Sequence, residues 1–487
     1  MAKSFNTVIK NIFSLISAQI ITRFIGIIFV AFLARYLGVE DFGRYTTILA
    51  FAAMAEIFVR IGIMKIMERD VAQDKSKASL YFSTATYILL ITSIVGWSGM
   101  VLVSVLLGYS SVMIKLIALI GLTLMFQGIQ GTAGSILRAF ERMEILGAIL
   151  VFTAVAKCVA GIILLRMGYG LITMILLIVA FHVFSTALYF IALHKKFIRL
   201  SWAFDSQLSR SLVKEGSLIF IMNALTILGG KVDIIILSKM KGALAVGIFG
   251  VAKRTIEYLR IFREGATGAI FPRMSAIQSR SPTSLGEVFG KVIGLFILIY
   301  FPVAVFLSFF SREIIHVVFG DEYVAGSAAL VIMSWALLIN VLGGPAAMIV
   351  IITKKKLAKF VPFVLFITVF QILMNFLLIP RYSYVGASIA FLITAVVGLI
   401  IRLLFVHSLL EKRPNLLEIV YRPALASLLM GAMLMFTSAL NFILRGVIAC
   451  SIYLCVLFVL GEFKKGEYVE LKNLVRGFIK RETDVIE

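Results

Sequence analysis

Leu33-Ala-Arg-Tyr-Leu-Gly38-Val-Glu-Asp-Phe-Gly43 joins two apolar runs, and about 204 residues later its outline returns as Leu237-Ser-Lys-Met-Lys-Gly242-Ala-Leu-Ala-Val-Gly247. At that one offset Gly38 meets Gly242, Gly43 meets Gly247, Arg35 meets Lys239, and Ile57-Phe58 meets Ile261-Phe262. The glycines suit a tight turn between two helices, because glycine takes backbone angles that other residues resist. A duplicated set of helices is the natural explanation; chance similarity between two apolar hairpins is the competing one. The offset contains an even number of helices, so the two copies share one membrane orientation. That is a parallel repeat about an axis along the membrane normal, which lets two bundles rock about a site near the midplane.

Outward from these hairpins the chain is uniformly apolar. Of its 487 residues 61% are hydrophobic and only 15% charged, against roughly 45–50% and 25% in soluble proteins. With about 20 mainly apolar residues per crossing, spans are expected near 7–35, 42–64, 79–107, 112–139, 144–166 and 170–194. After a polar, amphipathic stretch they resume near 215–238, 243–271, 288–311, 325–352, 358–379, 383–408, 423–442 and 444–461. The expected fold class is an all-α polytopic membrane protein of about fourteen transmembrane helices. The N-terminal apolar stretch is interrupted by Arg23 and lacks a small-residue cleavage site, so it reads as a retained first helix and not a signal peptide.

Fourteen spans put both termini on one side, where 29 lysines and arginines fall in or beside the connections against 8 on the other. By the positive-inside rule that side is cytoplasmic, in the cell membrane. Lys354, Lys355, Lys356, Lys359 and the tail from Lys464 to Arg481 contribute most of the bias, so the net charge of +22 reflects topology and calls for no nucleic-acid partner. Cys158, Cys450 and Cys455 lie in apolar stretches without CxxC spacing and read as buried small hydrophobes. The four histidines lack metal-ligand spacing, and no nucleophile elbow, P-loop or HExxH is present. Neither a catalytic role nor a cofactor is expected.

Four segments, two of them extending the hairpins above, carry a resemblance: Phe32-Leu-Ala-Arg-Tyr-Leu-Gly-Val-Glu-Asp-Phe-Gly-Arg-Tyr45, Ala245-Val-Gly-Ile-Phe-Gly-Val-Ala-Lys-Arg254, Phe271-Pro-Arg273, and Asn375-Phe-Leu-Leu-Ile-Pro380 through Gly386-Ala387. In their order and spacing the chain resembles the polysaccharide transporters of the multidrug/oligosaccharidyl-lipid/polysaccharide exporter superfamily. The resemblance implies two six-helix lobes around a central cavity, two extra C-terminal helices, and alternating access. Here the lobes would be residues 1–195 and 211–412, with an amphipathic linker at 196–210, the extra pair within 413–462 and a cytoplasmic tail at 463–487.

Charges inside the membrane are the independent evidence for function. A lysine or arginine at a helix centre costs roughly 2.5–3.5 kcal/mol on insertion scales, so it faces a cavity or a partner. Arg23 lies deep in the first span, with Gln19 and Gly26 on its face, and Lys157 sits mid-span in the fifth. Glu56 and Arg60 share a face of the second helix, where an intrahelical ion pair is the competing account. In the eighth span Lys253, Glu257, Arg260 and Glu264 alternate in sign along one face as self-neutralising pairs, leaving Arg254 and Arg263 in excess. For Arg23, Lys157 and Arg254 the bland alternative is snorkelling to the headgroups. Gln19, Arg23, Glu56, Arg60, Lys157, Arg254 and Arg260 are the candidate lining of a cationic cavity. Such a cavity selects an anion, since a desolvated guanidinium makes charge-assisted, bidentate contacts with phosphate.

The expected substrate is a lipid-linked oligosaccharide on pyrophosphate or phosphate, flipped from the cytoplasmic to the outer leaflet. Expected partners are that substrate and membrane lipids, with a glycan polymerase or glycosyltransferases as candidate neighbours. The resemblance adds that lipid-carrier flippases use intramembrane arginines in their first and eighth helices, and Arg23 and Arg254 fall at comparable places. Asp233 and Asn375 are candidates for a coupling-ion site, binding Na⁺ or letting Asp233 carry H⁺; the alternative pairs Asp233 with a lysine such as Lys231 or Lys157. Flippase relatives place a second acid one turn after the asparagine, where this chain has Ile379. A drug antiporter of the same superfamily would want an acidic or aromatic cavity, and an integral-membrane enzyme of glycan assembly would want carboxylates or a large extramembrane loop.

Overall fold

The computed structural model describes residues 2–59, 61–197, 203–260, 263, 274, 285–352, 357–407, 409–410, 413–437 and 440–461. Among them there are thirteen α-helices: α1 (Ala2–Ala55), α2 (Ile63–Gln73), α3 (Ala78–Leu106), α4 (Ser111–Gly121), α5 (Thr123–Ala139), α6 (Met143–Arg166), α7 (Leu171–Lys196), α8 (Ser206–Leu259), α9 (Leu285–Phe319), α10 (Ser327–Ile352), α11 (Leu357–His407), α12 (Leu416–Phe436) and α13 (Phe442–Val459). Eleven helical stretches are long and apolar enough to cross a membrane. The chain is an all-α, multi-pass membrane protein.

Three helices are far longer than one crossing. A straight helix of the length of α1 or α8 would run about 80 Å against about 30 Å of hydrocarbon. Each is bent instead at one residue: α1 at Gly38 (φ 72°, ψ 172°), α8 at Gly242 (φ 81°, ψ −178°) and α11 at Ser383 (φ 52°, ψ −132°). Positive φ followed by extended ψ is open to glycine without a Cβ clash. One such residue reverses the chain with no intervening loop, so pairs of spans expected separately appear as continuous bent helices. The expected second span stops short of residue 64, because the 3₁₀ turn Glu56–Phe58 follows α1 and Gly62 (φ 86°) starts α2. The expected span at 112–139 is present as one apolar stretch, Ser111–Ala139, in which α4 and α5 meet at Leu122, itself in helical geometry.

By packing, the chain divides into two units: residues 1–258, 315–329 and 358–394, and residues 259–314, 330–357 and 395–487. In the first, α2 shows how a polar segment is held. Ile63, Ile66, Met67 and Val71 recur at helical spacing and are buried, while Lys65, Glu68, Arg69 and Asp70 leave the helix amphipathic. The apolar stripe joins a core with Phe82, Leu89, Ile136 and Leu137. Asp74 then caps the turn into α3 by accepting from the Ser76 N–H at 3.1 Å.

In the second unit, α12 and α13 pack on α9 through Val305, Phe310, Met430, Leu434 and Leu457, and the Tyr453 hydroxyl donates to the Leu298 carbonyl at 2.6 Å. The outer faces of this helix pair are inverted relative to a soluble protein: Phe436, Val459 and Leu417 are more than four-fifths exposed. A surface of bare leucine and phenylalanine is stable against lipid, not water. Cys450 and Cys455 lie on that exposed face of α13, so of the three cysteines only Cys158 is buried as expected.

Candidate functional site

The fold of α8 on itself builds the site. Residues at comparable distances on either side of the Gly242 bend meet across it. The Lys253 ammonium donates to both carboxylate oxygens of Asp233, each at 2.6 Å, and to the Gly230 carbonyl at 2.8 Å. Asp233 is 1% exposed, and its Oδ1 also accepts the Ile234 N–H at 2.8 Å. One turn on, Glu257 accepts from Lys231 Nζ at 2.8 Å through Oε1 and from Arg254 Nη1 at 3.2 Å through Oε2. Of the alternating charges on this helix face, Lys253 and Glu257 do not pair with each other, and Glu264 lies outside the described residues. Lys253 turns to Asp233 across the bend, and Arg254, expected in excess, is paired with Glu257.

Lys231, Lys253, Arg254 and Glu257 line a cavity of ≈ 240 Å³. On α8 the stripe Gly250, Lys253, Arg254, Glu257 follows the spacing i, i+3, i+4, i+7, which puts all four on one face. Opposite stand Thr46 and Ala50 of α1, Glu56 just after it, Thr123 and Gln127 of α5, and His182 of α7. His182 is held through its carbonyl, which accepts from Gln130 Nε2 at 2.9 Å. The Thr46 hydroxyl and the Gln127 side-chain oxygen are buried without a hydrogen-bond partner among the described residues. A wall with two unmet polar atoms and a row of charges is built to contact something polar.

At the two glycine bends the helices are in contact. A Cβ on Gly43 would collide with the Ala243 carbonyl, and one on Gly247 with the Val39 carbonyl. Both bends are tied further by a basic residue three positions before the bend glycine. Arg35 donates through Nε to the Val318 carbonyl at 3.0 Å and through Nη2 to that of Val317. Lys239 donates to the Gly108 carbonyl at 3.3 Å and lies 4.8 Å from the Tyr109 ring. Tyr323 donates to the Ala34 carbonyl at 2.8 Å and meets Phe42 edge-on.

Of the residues expected from sequence, Arg254 and Glu56 line this cavity. Gln19 is exposed and Arg23 half-buried on α1, and neither lines it. Lys157 is half-buried on α6, outside the lining, with no hydrogen bond or ion pair among the described residues. Arg260 is exposed just past the end of α8. Arg60, Lys354–Lys356, the Phe271-Pro-Arg273 segment and the tail from residue 462 lie outside the described residues. Asp233 is paired with Lys253, a lysine other than the two considered from sequence. Asn375 is fully buried, and neither its Oδ1 nor its Nδ2 has a partner among the described residues. His182, Gln127 and Thr46 carry no signal in the sequence; Lys231, expected only as an alternative partner of Asp233, pairs with Glu257 instead and lines the cavity.

The model of the Polysaccharide biosynthesis protein family matches residues 8–278. The chain is 22% identical over 401 residues to the capsular polysaccharide biosynthesis protein CapF of Staphylococcus aureus, covering 80% of this chain and 97% of that one. It is 24% identical over 304 residues to the uncharacterized membrane protein MJ1068 of Methanocaldococcus jannaschii, covering 59% of this chain and 57% of that one. Among solved structures it is similar to the lipid II flippase MurJ in an inward closed conformation, with a TM-score of 0.73 at 15% identity over 92% of this chain and 98% of the other. It is also similar to an inward-facing multidrug resistance MATE transporter of the MOP superfamily, with a TM-score of 0.63 at 14% identity over 80% and 95%. Matched by the family model over more than half its length, and carrying the fold shared by those transporters, this membrane chain belongs to the Polysaccharide biosynthesis protein family.

Proposed function

We propose that this protein flips lipid-linked oligosaccharides, carried on pyrophosphate or phosphate, from the cytoplasmic to the outer leaflet of the cell membrane by alternating access. The observation that carries this is the Arg254 guanidinium and Lys231 ammonium facing a cavity among apolar helices. A cation pair held there at the cost of its desolvation suits a phosphate group, to which guanidinium gives directed, charge-assisted bonds. A drug antiporter for cations would need a carboxylate free to receive one, whereas Asp233 is engaged by Lys253, Glu257 by Lys231 and Arg254, and Glu56 in the same lining is partnered as well.

The three bends at Gly38, Gly242 and Ser383 divide three of the eleven candidate spans, which supports fourteen crossings with both termini on one side; the lysine and arginine bias makes that side cytoplasmic. In the same proposal the fourteen form two six-helix lobes and a C-terminal pair. The contact of Gly43 and Gly247, each just past its bend, with the opposite bend supports a state closed on the outer side. The coupling ion is Na⁺ or H⁺ at Asp233 and Asn375, where the fully buried Asn375 amide, without a partner among the described residues, is the supporting observation and Lys253 is the internal competitor.

The test is deletion of the gene, followed by assay of lipid-linked glycans on each leaflet. Accumulation on the cytoplasmic leaflet, relieved by the wild-type chain and not by Arg254→Ala, is expected. If no lipid-linked oligosaccharide accumulates, the protein is not its flippase.

A further inference from the structure

The geometry points to Glu257 as an internal stand-in for the substrate's phosphate: a carboxylate that occupies the Lys231–Arg254 seat and with which an arriving phosphoanion competes. Two acids sit close together on this hairpin, and they are held differently. Both Asp233 oxygens bind one ammonium at 2.6 Å, and the remaining N–H of that ammonium goes to the Gly230 carbonyl. With Asp233 at 1% exposure and Lys253 side-chain exposure at 11%, that pair is closed.

Glu257 is held by one donor from each of two cations, at 2.8 and 3.2 Å, and about a quarter of each of the three side chains is exposed to the cavity. An ammonium carries three N–H donors and a guanidinium five. Among the described residues, Lys231 and Arg254 each use one of them on Glu257. The seat thus keeps most of its donors and one positive charge beyond what Glu257 neutralises. A carboxylate offers two oxygens to such a seat, whereas a pyrophosphate offers more oxygens and a second charge. The nearby Thr46 hydroxyl and Gln127 oxygen, both without partners among the described residues, mark polar groups on the same wall.

Glu257 has a reason to be there. Two bare cations inside a membrane protein cost several kcal/mol each in lost hydration, so an empty seat without an anion would be unstable. Glu257 neutralises the seat between substrates and sets a threshold that weak anions do not pass. The biological meaning of the seat rests on the flippase proposal; the competition itself does not.

The probe is inorganic pyrophosphate, titrated into the full-length protein in lipid nanodiscs. Glu257→Gln keeps the shape of the side chain and removes its charge. It is expected to tighten pyrophosphate binding about tenfold, as removal of a charge-assisted competitor should, and to lose that gain when combined with Arg254→Gln. Glu257→Asp, which keeps the charge on a shorter arm, is expected to tighten binding about twofold and serves if the glutamine variant does not fold. Unchanged or weaker binding in a folded variant overturns the inference, as does a gain that survives loss of Arg254. Tighter binding by Glu257→Gln together with no glycolipid flipping by the wild type would sink the flippase proposal and leave the seat standing.

Discussion

The bends of α1 and α8 carry one device with two kinds of grip. Each has a glycine at the break, a second glycine five positions later pressed on the opposite bend, and a basic residue three positions before the break. Arg35 reaches two carbonyls just before Gly320, at the end of α9; Lys239 reaches the carbonyl of Gly108, just past the end of α3, and covers the Tyr109 ring. The planar fork of arginine spans two acceptors, whereas the ammonium of lysine serves one acceptor and a ring face. The two segments share the position and the charge but not the bonding, so the two grips should contribute unequally to holding the bends together.

The largest effect should come from the glycine contact that both bends share. Gly43→Val and Gly247→Val place side-chain carbon where the opposite carbonyl sits, and each should abolish transport with the protein still inserted. With the three native cysteines replaced, cysteines at Val39 and Ala243 should cross-link, stop flipping, and release it on reduction. Normal transport by the cross-linked protein would mean that the two bends never part.

The comparison itself is tested next. Arg35→Ala should lower the cross-linked fraction about fivefold, because two bonds to a charged donor are lost. Lys239→Ala should lower it about twofold, one bond and a cation–π contact being weaker. Equal effects would show the two grips to be equivalent despite their different bonding.

The smallest effect should come from Asp74, outside both bends. Hydrogen bonds from Ser76, and then Lys77, hold its carboxyl below the usual carboxylate range. A lowered folded value stabilises the cap above the unfolded pKa and loses that contribution as pH falls through the folded one. Asp74→Ala should therefore lower the melting temperature slightly at neutral pH and not in strong acid, leaving the cross-linked fraction unchanged. A change in cross-linking would tie this turn to the gate.

Much of the fold was legible in the sequence, because apolar length and glycine placement act locally. The bends at Gly38 and Gly242 and the boundary between residues 379 and 383 are all visible in the chain. The site was legible only in part. Arg254 and Glu56 announce themselves as charges in apolar runs, but Lys253 and Glu257, four apart on one face, read as partners of each other. Their actual partners, Asp233 and Lys231, lie more than 20 residues away, and only the bend brings them near. The acceptors of Arg35 and Lys239 are backbone carbonyls, which no side-chain pattern marks.

The hairpin register about Gly242 also works like a reading frame. Both ion pairs depend on the two arms of α8 keeping step, so inserting or deleting one residue between Asp233 and Gly242, or between Gly242 and Lys253, would turn that arm by about 100° and shift it by about 1.5 Å. Asp233 would lose Lys253 and Lys231 would lose Glu257 in the same event, leaving Asp233, Lys253 and Lys231 uncompensated among apolar helices while Glu257 keeps only Arg254. Substitutions can tune this segment one at a time, but its length can change only if both arms change together.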